Sequence, residues 1–191
     1  MKKFIQGLVA VGAFAAASVG YSSDASALDT VDKGTVVIAA ERMTGFALVF
    51  GGGDVEIGAG FLTGGNPAPY NFPRIGGDYF IIDGLSLGGN LGVNHYSAGG
   101  GVTQWAILPR VGYAFALSNW IDFWPRGGFG WYGVDAGGVT NDTAVLTLDG
   151  NFLWHIFEHV GVEFGPQLDV GLANNQATTL GGNVGLFMNF K

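Results

Sequence analysis

The chain has 191 residues, no cysteine, 35 glycines, 12% charged and 14% aromatic residues, and a formal net charge of −7. Without cysteine it can form no disulfide, thiolate metal site, cysteine nucleophile or lipidated N-terminal cysteine, and its acidity makes nucleic acid and anionic headgroups poor partners. So low a charge content with a positive mean hydropathy is unusual for a soluble domain.

Residues 1–27 have the layout of an export signal: Lys2 and Lys3, an apolar run from Phe4 to Val19, then Ser22, Ser23 and Asp24 before Ala25, Ser26 and Ala27. Cleavage after Ala27 would start the mature chain at Leu28, with six basic and fourteen acidic residues and a net charge of −8. The run is short and glycine-interrupted, which argues against a membrane anchor. Beyond it no apolar stretch approaches the ~20 residues of a spanning helix, so any membrane crossing must be by strands.

A polar lead-in with Asp29, Asp32 and Lys33 precedes eight segments of strand character, at about 35–50, 72–81, 85–96, 102–117, 121–134, 143–156, 160–172 and 180–190. The seventh is the clearest. Val160, Val162, Phe164, Pro166, Leu168, Val170 and Leu172 alternate with Gly161, Glu163, Gly165, Gln167, Asp169 and Gly171, a period of two with one apolar and one polar face. Asp83-Gly84 signals a hairpin turn, and with no helix available for a crossover, sequential segments are expected to pair antiparallel. Pairing Ile81 with Leu85, Tyr113 with Pro125, Phe115 with Phe123 and Phe152 with Phe164 keeps like faces opposite through three tight turns. The connections at about 51–71, 135–142 and 173–179 read as longer loops.

Parity sorts the other segments the same way. Leu87, Leu91, Val93, Trp105, Ile107, Val111, Phe123, Phe129, Trp131, Leu148, Phe152, Trp154, Leu186 and Phe190 share the apolar face. Ser86, Asn90, Asn94, Gln104, Arg110, Asp122, Arg126, Thr147, Asp149, Asn151, Glu163, Asp169 and Asn183 share the other, padded with glycine. Burying the second set in a soluble core would be ruinous, and exposing it to water would leave the apolar face unable to fit inside a small barrel. With lipid outside, the apolar face is accommodated, and an outward Arg or Lys at mid-membrane would cost ~2 to 4 kcal/mol. Trp105 and Trp131 toward the loop ends, and Trp154, Phe115, Phe123 and Phe190 toward the turn ends, are placed for two interface belts. Parity puts Trp124 on the polar face, and Glu41 and Arg42 are adjacent, so one of them faces lipid unless a bulge intervenes.

These segments, the export signal and the ending Gly185-Leu186-Phe187-Met188-Asn189-Phe190 resemble the small eight-stranded outer-membrane barrels of the OmpA/OmpX type, over residues 35–190. The resemblance implies an all-β fold, an eight-stranded antiparallel up-and-down transmembrane β-barrel preceded by a cleavable signal peptide, with 28–191 a single barrel domain. It implies outer-membrane lipid as surroundings, the barrel-assembly machinery as partner during insertion, a monomer, and turns and termini on the periplasmic side. Lys191 after the terminal Phe departs from the aromatic ending that the machinery recognises. The resemblance specifies no activity.

The expected role is non-enzymatic, structural or surface-interacting through the loops, with no cofactor, no nucleic acid partner, and no catalytic, cofactor-binding or metal residues. The alternatives are a lipid A-modifying barrel enzyme, a small porin-like channel, or a secreted lipocalin-like binder. Some barrels of this architecture modify lipid A with His, Ser and a carboxylate at the outer rim; His95, beside Tyr96 and Ser97, is on that side but lacks an assigned carboxylate. His155 and His159, flanking Glu158, read as turn polarity, and Asp54 and Glu56 as solvated loop acids. Gly51-Gly52-Gly53 and Gly99-Gly100-Gly101 lack the Lys and Ser/Thr of a phosphate loop. Inside, Arg74, Arg110 and Arg126 face Asp78, Asp122, Asp149, Glu163 and Asp169, with Asp122 and Asp149 the expected partners of Arg110 and Arg126. Eight strands leave an interior that side chains fill, so the lumen is expected to be plugged.

Overall fold

The computed structural model describes residues 31–51, 54–61, 70–96, 101–173 and 176–191, with 54–61 and Tyr96 described by their backbone alone. The expected signal peptide lies outside the described residues, as do Ser97 and most of both Gly-Gly-Gly runs. Ten strands follow one another: β1 (Val36–Gly51), β2 (Asp54–Phe61), β3 (Arg74–Ile82), β4 (Leu85–Tyr96), β5 (Val102–Tyr113), β6 (Phe115–Ser118), β7 (Ile121–Ala136), β8 (Val139–Phe157), β9 (Val160–Gly171) and β10 (Thr178–Phe190). Every pairing is antiparallel, and β10 pairs with β1 to close the sheet on itself. Strands β5 and β6 both lie against β7 as one interrupted strand, and β2 pairs with β1 alone, so the ring has eight positions.

The alternation seen in the sequence is the alternation of the wall. Ile75, Leu91, Val93, Ile107 and Trp131 are at least half exposed on the outside, whereas Asp122, Glu163, Asp169 and Trp124 inside are fully buried. The barrel is therefore inverted relative to a soluble one. On the outside, Phe115, Phe123, Phe152 and Phe164 form a cross-strand ladder with ring centroids 6.5, 5.0 and 5.7 Å apart, in the register expected for two of these pairs. Phe123 faces outward as expected but is only 8% exposed, because the rings of Phe115 and Phe152 flank it.

Four expectations are corrected. The connection at about 51–71 contains β2, whose Val55, Ile57, Ala59 and Phe61 continue the period of two, paired from Gly51↔Asp54 to Thr44↔Phe61; Tyr70 and Asn71 at its end are buried. The expected loop at 135–142 is a hairpin paired up to Ala136↔Val139. Gly137 and Gly138 turn it with φ of 59° and 84°, the left-handed conformations that a two-residue primed turn requires. Flanking Asp135, Thr140, Asn141 and Asp142 are polar on both faces, which hid the strand pattern. The fourth segment breaks at Ala114, whose N–H leaves the ladder to donate to the Gly84 carbonyl at 2.7 Å. Ile82, not Ile81, is paired with Leu85, with an irregularity between Phe80 and Ile82.

Inside, apolar clusters close both ends. At the turn end Val37, Ala39, Phe80, Ala114, Trp124, Leu153 and Phe187 pack together, with Val31 of the lead-in against them. Backbone bonds from Gly34 to Phe80 and from Gly84 to Val31 tie that lead-in to the wall. At the loop end Tyr70, Phe72, Ala106, Leu108, Tyr132 and Val145 form the second cluster. Between them lies a layer of charge.

Candidate functional site: the charge network in the lumen

The network begins with an irregularity in β1. Its pairing with β10 shifts between Ala40 and Thr44, and Arg42 has φ 54°, a left-handed conformation in which a β-bulge can rotate one residue to the other face. Both Glu41 and Arg42 therefore point inward, at 2% and 4% exposure. The bulge resolves the conflict that their adjacency poses.

Glu41 sits among two cations. It accepts from Arg110 Nη1 at 2.8 Å and Arg126 Nη1 at 2.9 Å, and from Asn90 Nδ2 at 2.9 Å. Arg110 also forks onto Asp78, with Nε 3.1 Å from each carboxylate oxygen. Arg126 reaches Glu163 Oε2 at 3.3 Å, and its guanidinium lies 4.5 Å from the centre of the Trp124 ring. Arg42 forms a second centre: its two terminal nitrogens grip Asp169 at 2.7 and 3.0 Å, and Nη2 also reaches Asp149 at 3.2 Å. Thr147 Oγ1 supports Asp169 at 2.7 Å. Paired, planar guanidinium–carboxylate contacts are the geometry in which buried charges are best compensated.

Sheet and network are built for each other. Gly76 is on the inner face beside Glu41 and Arg110, and a Cβ there would overlap both side chains. Gly112 does the same for Trp124, Arg126 and Ser86. That absence of a side chain lets Trp124 lie inside, with its Nε1 donating to Ser86 Oγ at 3.1 Å. Eight carboxylate or guanidinium groups from β1, β3, β5, β7, β8 and β9 thus meet across the ring, so the network links strands that share no ladder.

No family model matches the chain, and no curated protein matches its sequence. Solved structures do match: neisserial surface protein A aligns with a TM-score of 0.56 at 14% identity, over 83% of this chain and 100% of that one. The fold is that of the small outer-membrane β-barrels. The N-terminal barrel domain of Pseudomonas aeruginosa OprF aligns with a TM-score of 0.53 at 12% identity, over 83% of this chain and 98% of that one. Ail, the attachment invasion locus protein of Yersinia pestis, aligns at 0.50 and 9%, over 83% and 99%.

Within this outer-membrane barrel fold the residues singled out from sequence separate cleanly. Arg74, Arg110, Arg126, Asp78, Asp122, Asp149, Glu163 and Asp169 are all inside, as parity requires. The expected partnership of Asp122 and Asp149 with Arg110 and Arg126 is not observed. Asp149 pairs with Arg42, and Asp122 Oδ2 is 2.8 Å from His155 Nε2, because the bulge delivers Glu41 to the arginines instead. His155 is correspondingly not turn polarity. It is buried, with its ring edge-on to Phe187 at 5.1 Å. His159 and Glu158 at the adjacent turn are exposed. His95, at the opposite end of the barrel, bonds Thr103 Oγ1 through Nδ1 at 2.9 Å.

Sequence parity missed Glu41, Arg42 and Tyr70 as parts of the site. For the first two a signal existed, two opposite charges side by side in a strand that can present only one of them inward without a bulge. Tyr70 lies beyond the reach of any strand pattern, since it enters the lumen from a connection.

Proposed function

We propose that the chain is exported through residues 1–27, inserted by the barrel-assembly machinery as a monomer, and acts in the outer membrane as a non-enzymatic barrel. Its lumen is closed, and its loop end is the working surface. The observation that supports closure is the stacking of two apolar clusters around the ionic layer. An ion entering from the loop end would have to displace Tyr70, Phe72 and Tyr132, then break paired charges, then displace Phe80, Trp124 and Phe187. Closed interiors of this kind are what eight strands allow, since the ring is only wide enough for side chains.

The apolar outer wall supports lipid as the surroundings, because soluble monomers rarely expose a hydrophobic surface of this extent. Planar-bilayer recording from pure refolded protein tests the closed lumen. No stable conductance is expected, and reproducible steps would overturn the reading. An altered lipid A mass spectrum in a deletion strain would overturn the non-enzymatic part.

A further inference from the structure

One lumenal guanidinium is held without a carboxylate. Arg42, Arg110 and Arg126 each make ion pairs. Arg74, 3% exposed, makes none among the described residues. Its Nη2 donates to the Tyr70 carbonyl at 2.6 Å, its Nη1 makes a long contact of 3.4 Å to Asn90 Oδ1, and its Nε has no partner. Arg42 Nη1 donates to the same Tyr70 carbonyl at 2.9 Å. Two guanidinium groups therefore converge on one neutral oxygen.

A main-chain carbonyl is a poor match for that position. A carboxylate offers a guanidinium an opposite charge and a second oxygen for a bidentate contact, where a carbonyl offers one neutral oxygen, and the unused Arg74 Nε beside Nη2 offers the fork that takes a carboxylate. The surrounding walls are apolar and aromatic. Tyr70 lies edge-on to Tyr132 at 4.9 Å, Phe72 is 6.0 Å from Tyr132 and 5.1 Å from the Arg74 guanidinium carbon, and Leu108 and Val145 complete the cluster. Residues 70–73 enter from a connection, with ladder pairing beginning only at Arg74. None of the ring's ladder pairs involves them.

We propose that Arg74, with Arg42, forms a binding site for a small carboxylate bearing an aromatic or short apolar group, and that the Tyr70 carbonyl occupies it in the free protein. The ligand carboxylate replaces the carbonyl across Arg74 Nε and Nη2. Its apolar part takes the place of the Tyr70 ring against Tyr132, Leu108 and Val145. Because residues 70–73 must move aside, apparent affinity is lowered by the fraction of molecules in which they have done so. The site is reached from the loop end and leaves the Glu41–Arg110–Arg126 layer in place, so it does not depend on whether the lumen conducts.

The test uses full-length mature protein refolded in detergent micelles with 15N-labelled arginine and tyrosine, titrated with phenylacetate and with neutral phenylacetamide. Phenylacetate is expected to shift the Arg74 Nε–H and Tyr70 amide signals saturably, and phenylacetamide at equal concentration to produce less than about a tenth of the response. Arg74→Gln is expected to weaken phenylacetate binding about tenfold or more. Arg74→Lys, which keeps the charge and loses the fork, is expected to fall between the two and serves if the first variant does not fold. Unchanged Arg74 and Tyr70 signals in the wild-type protein would overturn the proposal. So would an equal response to phenylacetamide, or to chloride at matched ionic strength.

Discussion

Arg42 shows how much one backbone angle decides in this protein. With φ near 54° it faces inward beside Glu41. In a regular strand one of the two charges would stand in hydrocarbon, where an Arg costs ~2 to 4 kcal/mol at mid-membrane. The network that the bulge completes makes two residue-level predictions. Arg110→Ala leaves Asp78 with only a 3.9 Å contact to Arg126 and one side of Glu41 uncompensated, and is expected to destabilise by about 3 to 5 kcal/mol, less where water enters. Asp78→Ala added to Arg110→Ala should recover part of that loss, as urea unfolding in lipid vesicles would measure; strictly additive losses would show that the pair is not coupled. The neighbouring glycines give a sharper contrast. Gly76→Ala collides with Glu41 and Arg110, whereas a Cβ at Gly77 meets nothing within 4 Å. Gly76→Ala is expected to cost about 1 to 3 kcal/mol through overpacking, and Gly77→Ala to be neutral or to stabilise by up to about 1 kcal/mol through the lost flexibility of the unfolded chain. Equal effects of the two would mean that the inner and outer faces of β3 are misassigned.

At the scale of the element, strands were legible wherever one face met lipid and the other met the lumen. Strand β4 begins and ends at Leu85 and Tyr96, as the alternation indicates, and β9 differs by one residue. Legibility fails where that difference of surroundings disappears. Asp135, Thr140, Asn141 and Asp142 put polar residues on both faces, so the hairpin at Gly137 and Gly138 has no period to show. The breaks at Ala114 and beside Ile81 depend on hydrogen bonds to the lead-in and its neighbouring turn, contacts between segments that sequence pattern does not connect. Where alternation does hold, it makes a strong prediction in β9. Gln167 is buried inside and Leu168, its neighbour, faces out. Leu168→Arg should lower folding yield in lipid vesicles far more than Gln167→Arg, because only the former places charge in hydrocarbon. Comparable yields would mean that the wall is not surrounded by lipid at this level.

For the whole molecule, the distribution of charge is as telling as the fold. After Ala27 the chain has only six basic residues: Lys33, Arg42, Arg74, Arg110, Arg126 and Lys191. The four arginines are buried in the lumen. The two lysines are at the turn end, where Lys191 Nζ bonds Asp32 at 2.7 Å and the Lys33 N–H donates to Asp83 at 2.8 Å. Asp54, Glu56, Asp135 and Asp142 belong to the connections of the loop end, whose sequence contains no lysine or arginine. A barrel inserted from the periplasm must carry one end across the bilayer and leave the other behind. In the orientation proposed for this barrel the turn end, where these contacts lie, is the one left behind, and the loop end crosses with few charges to desolvate. The absence of cysteine makes this directly measurable, because a single introduced thiol is unique. Val139→Cys, at the exposed tip of the β7–β8 hairpin, is expected to react with a membrane-impermeant maleimide on intact cells. Glu158→Cys, at the exposed β8–β9 turn, should react only after the outer membrane is permeabilised. The opposite pattern would invert the barrel and place the Arg74 site on the periplasmic side.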